Sequence, residues 1–464
     1  MTSLPIQTVE ISTKRTPILR KTVFWHLSAS FLLFTYIFLY NYAYDNYLSV
    51  VYFNFGFSNK STSKFEMAFA ISCCLIVQYL LPRIISRGSH FFSWMVYYIL
   101  FVPMAISTAK VGTIPGGAIS LIALVTISFI FMIAISRLLV FRIPKDRSTT
   151  ASSEKQRNYG IGWIVGAFIF STTSVFLLYG EIMSISGIDE IYIQREIASK
   201  IIVPPIARYL LNWHLSVFSP LLVAYGLVKR KGLYVFLGFS GFFLVYSVNG
   251  AKISFAIFAM MLAINGLFRI GLLRKPFLIA IIPLAATAAI VVLVKMSGTY
   301  FSDLVLFISS QVFMRAIGIQ AVMLSVYVEF FSQSPLTYYS HIGVISSFVS
   351  YPYQEPLGVV VGQYLTSAGF NANSGFWVTD GIAAAGYSGL IFIGILMGFI
   401  LSLLNYLGRN ADLRFICLAS IPFIMAAINT SIFTSLITSG GILISILSPL
   451  VFRGDRRING STSK

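Results

Sequence analysis

Charge is scarce in this chain. Of 464 residues only 10% are Asp, Glu, Lys or Arg, where a soluble domain carries about 25%. That is too little polar side chain to cover a water-exposed surface, which excludes a soluble globular protein. Acids are the scarcer sign, 15 Asp and Glu against 33 Lys and Arg. The four histidines, His26, His90, His214 and His341, are scattered without H-x-x-x-H spacing, so no metal site and no metal cofactor is expected. Walker and G-x-S-x-G motifs are missing, which removes the main support for ATP-driven and serine-hydrolase chemistry. The three cysteines, Cys73, Cys74 and Cys417, lie inside apolar runs and read as buried small hydrophobes, not as a disulfide framework. No A-x-A-like cleavage site follows the first apolar run, so Phe24–Tyr40 reads as a membrane helix and not a cleavable leader.

What fills the chain is hydrocarbon: 57% of residues are hydrophobic. A span needs about 20 apolar residues. The runs predict an all-α polytopic membrane protein with twelve transmembrane helices, near 24–43, 66–86, 91–109, 115–141, 160–180, 205–228, 232–250, 252–270, 276–296, 381–408, 413–430 and 433–452. The net charge of +18 is not a nucleic-acid footprint. Its basic residues cluster at alternate ends of the runs (Arg83 and Arg87; Lys229, Arg230 and Lys231; Arg269, Arg274 and Lys275; Arg409 and Arg414), the positive-inside pattern. Those clusters are topology signals and contacts to anionic lipid. They place both termini in the cytoplasm and the segments 181–205 and 297–380 outside.

The single membrane domain 1–464 therefore carries one large, partly helical outer loop, 297–380, and a smaller one, 181–205. Within the large loop Gln311 and Arg315 are four apart in an apolar run, with Gly318 one turn later, which predicts one helical face. The helix is expected at the outer interface or packed on the bundle, with a narrow polar strip. Beyond it the chain is rich in Tyr, Pro, Gly and Ser. Outer cations near hydrocarbon are costly and tend to mark sites; these are Arg195, Arg208, Lys252 and Arg315. Arginine suits bidentate phosphate contact. Candidate acids and bases on the same side are His341, Glu329, Glu355, Asp380 and Glu181. The loop tyrosines, among them Tyr353, serve either as an interface belt or as platforms for sugar rings.

Two short stretches carry a resemblance. Val248-Asn249-Gly250-Ala251-Lys252 is similar to a Ser-Gly-Ser-Arg-Gly-like turn at the outer start of a span, with Lys for Arg. Asn371-Ala372-Asn373-Ser374-Gly375-Phe376-Trp377, running on through Asp380-Gly381 to Ala385-Gly386-Tyr387-Ser388-Gly389, resembles an Asn-rich loop end followed by a G-x-x-G-bearing span. With the topology, these resemble the bacterial O-antigen polymerases (Wzy-type), within the polymerase and O-antigen ligase superfamily. The resemblance implies a membrane glycosyltransferase of lipopolysaccharide biosynthesis in the bacterial inner membrane, its active site facing the periplasm. It would move a growing glycan from undecaprenyl diphosphate onto the non-reducing end of a new lipid-linked repeat. Partners would be that lipid-linked oligosaccharide, membrane lipids and a chain-length regulator membrane protein; no cofactor is implied. Arg315, His341 and Glu355 would be catalytic, and Arg195, Arg208, Lys252, Tyr353 and Asn373 would bind substrate. A ligase-like glycosyltransferase and a lipid-linked oligosaccharide flippase are the rival expectations.

Overall fold

The computed structural model describes residues 16–58, 62–112, 114–138, 153–184, 194, 197–198, 200–297, 306, 309–342, 345–366, 371–373 and 375–452. Among them the regular structure is helical, with no strand. That follows from composition, because a backbone in hydrocarbon must satisfy its polar groups within its own segment. In chain order the main helices are α1 (Thr22–Val51), α2 (Lys64–Leu80), α3 (Gly88–Lys110), α4 (Ala118–Leu138), α5 (Gly160–Ile182), α6 (Ile206–Lys229), α7 (Gly232–Asn249), α8 (Ile253–Arg269), α9 (Pro276–Met296), α10 (Phe313–Phe331), α11 (Leu357–Leu365), α12 (Trp377–Leu407), α13 (Leu413–Asn429) and α14 (Ile432–Val451). All but α2, α8, α11 and α13 are long and apolar enough to cross a membrane, which makes ten among the described residues. Nine of these coincide with expected spans. The remaining expected spans, 66–86, 252–270 and 413–430, correspond to the shorter helices α2, α8 and α13.

Contacts divide the bundle into two ends. At one, the Ile85 N–H donates to the Leu273 carbonyl (2.8 Å), the Asp412 N–H to the Phe452 carbonyl (2.9 Å) and the Ser89 N–H to Asn405 Oδ1 (3.0 Å). Lys229 lies over the Phe452 ring at 4.3 Å. These bonds gather the segments that carry Arg83, Arg87, Arg274, Arg409 and Arg414, so this is the basic end. At the other, Lys110 Nζ pairs with Asp45 Oδ1 at 2.6 Å, the Gly112 N–H donates to Ser58 Oγ (3.0 Å), and the Tyr387 hydroxyl bonds the Pro115 carbonyl.

The expected outer loop is mostly folded into this second end. Every residue of α10 from Ile319 to Val328 is buried. Just before α10, Ser309 meets Tyr47; along it, Val322 and Val326 pack against Gly56; at its end Glu329 accepts from the Tyr364 hydroxyl (3.0 Å). Tyr47, near the end of α1, and Gly56, just beyond it, both lie away from the basic loops. Thus α10 enters and leaves at one end, packed on α3, despite its span-like composition. The expected shared face of Arg315 and Gly318 is not found. Ser310–Gly318 is a π-helix, whose wider turn alters the angular step. Arg315 is exposed, while Gly318 packs against Leu48 and Phe57.

The second surprise is α12. Ala385 (φ −150°, ψ 22°) and Gly386 (φ 59°, ψ −138°) break it. A Cβ placed on Gly389 would overlap the Gly381 carbonyl. Eight residues of straight helix would separate those positions by about 12 Å; here the backbones touch. So α12 is a hairpin: a short arm, Trp377–Ala384, turned back on a long limb, Tyr387–Leu407. The arm is anchored deep in the bundle, where Trp377 Nε1 donates to Ser128 Oγ (2.8 Å) and that hydroxyl donates to the Leu390 carbonyl (2.5 Å).

Candidate functional site at the broken helix

A helix that stops inside a bundle leaves its last carbonyls without partners. The loop after α10 supplies them. The Thr337 N–H donates to the Ala383 carbonyl (2.8 Å) and the Tyr338 N–H to the Ala384 carbonyl (3.2 Å). To make that approach Tyr338 and Tyr339 adopt φ of 47° and 65°, a region costly for bulky side chains and associated with functional segments. The same turn delivers His341 to the arm. His341 Nε2 lies 3.3 Å from Asp380 Oδ1, and its Nδ1 lies 3.0 Å from Thr337 Oγ1. Asp380 is fully buried, and its Oδ2 accepts the Ile432 N–H at 2.6 Å, where α14 begins. With Nε2–H donating to the carboxylate, Nδ1 is the acceptor nitrogen of the ring. Thr337 Oγ1 has a second partner, the Ala383 carbonyl at 3.0 Å. Nδ1 can therefore exchange Thr337 for another hydroxyl without stranding it.

A polar seam continues from there. Asn429 ends α13 three residues before Ile432, and it bonds Gln320 Nε2; Gln320 Nε2 also donates to the Arg315 carbonyl (2.6 Å). Arg315, Gln320, Asn429, Asp380 and His341 are thus linked across α10, the α13–α14 break and the α12 arm. The Tyr339 hydroxyl lies beside this group, buried and without a hydrogen-bond partner among the described residues. Burial, with the Asp380 charge second, pushes its pKa well above the ordinary tyrosine value. Ser431 Oγ in the α13–α14 break is also buried and unpartnered among the described residues.

The expected site residues that the structure describes fall in six places. His341 joins Asp380 in the buried pair. Arg315 is exposed and makes no ion pair among the described residues. Tyr353 and Glu355 lie in the wall beside the His341 turn. The Tyr353 hydroxyl donates to the Pro335 carbonyl (2.5 Å), its ring packs on Phe330, and Glu355 is exposed, its carbonyl accepting from the Tyr351 hydroxyl (3.0 Å). Burial and the neighbouring Tyr353 push the Tyr351 pKa up to about 12. Asn373 is exposed where the chain enters the arm, its amide seated over Gly358. Arg208 lines a separate cavity of about 450 Å³ with Tyr209, Asn212 and Thr438. The two are joined by the first turns of α14: Trp213 Nε1 donates to the Ile437 carbonyl (3.1 Å), five residues, or roughly 7–8 Å of helix, from Ile432. Lys252 sits half-buried at the N-cap of α8. Arg195 lies outside the described residues.

Gln320, Asn429 and Ser431 were not foreseen as parts of the site. The signal for the last two was present, since Asn429-Thr430-Ser431 interrupts an apolar run, but there it reads simply as a connection between spans. Among the described residues no three of His, Cys, Asp and Glu converge as metal ligands.

The fold defines an integral, multi-pass, all-α membrane protein with a discontinuous helix and a buried Asp–His pair. No protein-family model, no curated protein and no solved structure matches the chain.

Proposed function

We propose that the protein is a polymerase of undecaprenyl-diphosphate-linked oligosaccharide repeats, an O-antigen-type membrane glycosyltransferase of the bacterial inner membrane. The observation that carries the reading is the buried Asp380–His341 pair, held at the end of the bundle away from the basic loops; Arg315, exposed and without an ion pair among the described residues, lies on the neighbouring α10, where Gln320 bonds both its backbone carbonyl and Asn429. In this reading the acceptor sugar hydroxyl replaces Thr337 at His341 Nδ1. Its proton passes to Nδ1 as its oxygen bonds the donor's anomeric carbon. The bond from that carbon to the diphosphate oxygen breaks, and undecaprenyl diphosphate leaves with the electron pair. Asp380 stabilises the imidazolium through Nε2–H, and the guanidiniums of Arg315 and Arg208 neutralise the charge growing on the diphosphate. Tyr353 and Asn373 supply a stacking face and amide contacts for the glycan. No nucleotide is required.

The broken helix itself favours a second reading, a lipid-linked oligosaccharide flippase, because discontinuous helices build many transporter sites. The two are separated by purifying the full chain, placing it in liposomes with lipid-linked repeats on both faces, and running the glycans on a gel. A ladder of lengths supports the polymerase. Repeats that change leaflet but never lengthen overturn it in favour of transport. A chain moved onto a lipid A core acceptor, with no ladder, overturns it in favour of a ligase.

A further inference from the structure

The basic end holds a second site, unconnected with the Asp380–His341 pair. Where α2 stops, the turn into α3 and the last turn of α4 border a shallow, open concavity of about 520 Å³. Arg83, Arg87 and Arg137 line it, with His90 at one side. None of the described residues lining it carries a carboxylate. Three cations around one concavity are repelled by one another unless an anion sits among them. The arginines are not merely loose surface charge. Arg137 Nη2 donates to the Leu80 carbonyl at 2.7 Å, which satisfies a terminal carbonyl of α2 and fixes the guanidinium at the cavity. His90 Nδ1 is held 3.1 Å from the Ile84 carbonyl, which shapes the loop bearing Arg83.

The surroundings tell what kind of anion fits. Tyr79 is 65% exposed and Leu138 79% exposed, and both stand at the cavity's rim or next to it. Ile76, one turn before Leu80 on α2, and Phe131 on α4 are also exposed. An apolar strip thus runs away from the basic cavity along the two helices that form it. A free phosphate has no use for such a strip, whereas a phospholipid places its acyl chains there. We propose that this cavity binds the phosphodiester head group of one anionic phospholipid, with Arg83, Arg87 and Arg137 around the phosphate and the acyl chains along α2 and α4.

The test uses the full chain in an uncharged detergent, titrated separately with dihexanoyl-phosphatidylglycerol, dihexanoyl-phosphatidylcholine and glycerol 3-phosphate, with bound lipid counted by native mass spectrometry and Tm followed in parallel. Phosphatidylglycerol is expected to bind and to raise Tm, the other two far less. The double variant Arg83→Gln/Arg87→Gln keeps the Arg137 bond to α2 and is expected to bind phosphatidylglycerol ~25-fold more weakly, roughly fivefold for each arginine. Equal affinity of wild type and double variant overturns the site, as does equal binding of the two lipids. Glycerol 3-phosphate matching phosphatidylglycerol overturns the lipid in favour of a free phosphate. Should the double variant not fold, the wild type still decides. Binding at this site must weaken between 0.05 and 0.5 M salt (on the order of 14 to 4 Å of screening length), and salt-independent binding overturns the proposal.

Discussion

Asp380 commits both carboxylate oxygens to the protein, one to His341 and one to the Ile432 N–H. Removing the side chain therefore strands two buried donors. Asp380→Ala is expected to lose about 3–5 kcal/mol of stability, the usual range for breaking a buried pair, measured as a drop in Tm in detergent. Asp380→Asn separates structure from chemistry. Its amide oxygen can still accept from Ile432, but its N–H now faces Nε2 and forces the His341 proton onto Nδ1. The nitrogen assigned to the acceptor hydroxyl can then no longer take a proton. Near-native Tm with elongation reduced ~10³-fold or more, as for a base held in the wrong tautomer, is the expected result; normal chain length in this variant would remove His341 from the chemistry. Arg315 predicts the opposite separation. It is exposed and unpaired among the described residues, so Arg315→Ala should move stability by no more than about 0.5 kcal/mol while long chains disappear. A large loss of Tm would show that Arg315 is structural. At this scale the sequence was half legible. His341 stood out as a lone histidine in a polar stretch. Its partner Asp380, 39 positions further on, was one of several candidate acids of the same loop, and only the fold singles it out.

At the scale of elements, the hairpin in α12 depends on two glycines for different reasons. Gly386 has open space around it: a Cβ there meets nothing within 4 Å. Its cost is conformational, since φ 59° with ψ −138° is a region other residues rarely enter. Gly386→Ala is expected to cost ~1–3 kcal/mol. At Gly389 the obstacle is the Gly381 carbonyl of the opposite limb, so Gly389→Ala should part the hairpin and cost more than Gly386→Ala. Gly166 on α5 is the control. It has equal room and ordinary helical backbone, and its alanine variant should lose nothing. Thermal unfolding of the three variants in one detergent checks the order; Gly386→Ala as stable as Gly166→Ala would contradict the turn. The arm was hidden in the sequence because Gly381–Ala384 reads on without interruption into the limb that follows, and the break is a dihedral angle, not a change of composition. α10 was foreseen as a helix at the interface or packed on the bundle, but not its full burial. Arg315 and Glu329 near its two ends made a buried helix resemble part of a polar loop.

For the whole molecule, the distribution of charge was the readable feature. Arg83, Arg274, Arg409 and Arg414, scattered along the sequence, converge on one end as the positive-inside pattern requires. The orientation of that end is testable with little engineering. Cys73, Cys74 and Cys417 are all buried, so a cysteine introduced at Lys231 or Ser334 should dominate labelling by a membrane-impermeant maleimide. Ser334→Cys is expected to react in intact spheroplasts and Lys231→Cys only after permeabilisation. Reaction of both from the same side would sink the topology.

The hairpin bears on that arithmetic. A segment that dips into the bundle and comes back through the face it entered adds nothing to the parity of crossings, however long and apolar it is. Counting α10 or the α12 arm as a traverse would invert the side assigned to α13 and α14 without a single charge having moved. Probes at Asn373 and at Gly386 should therefore report the same compartment, although the fully buried Trp377 and Asp380 lie between them in the chain.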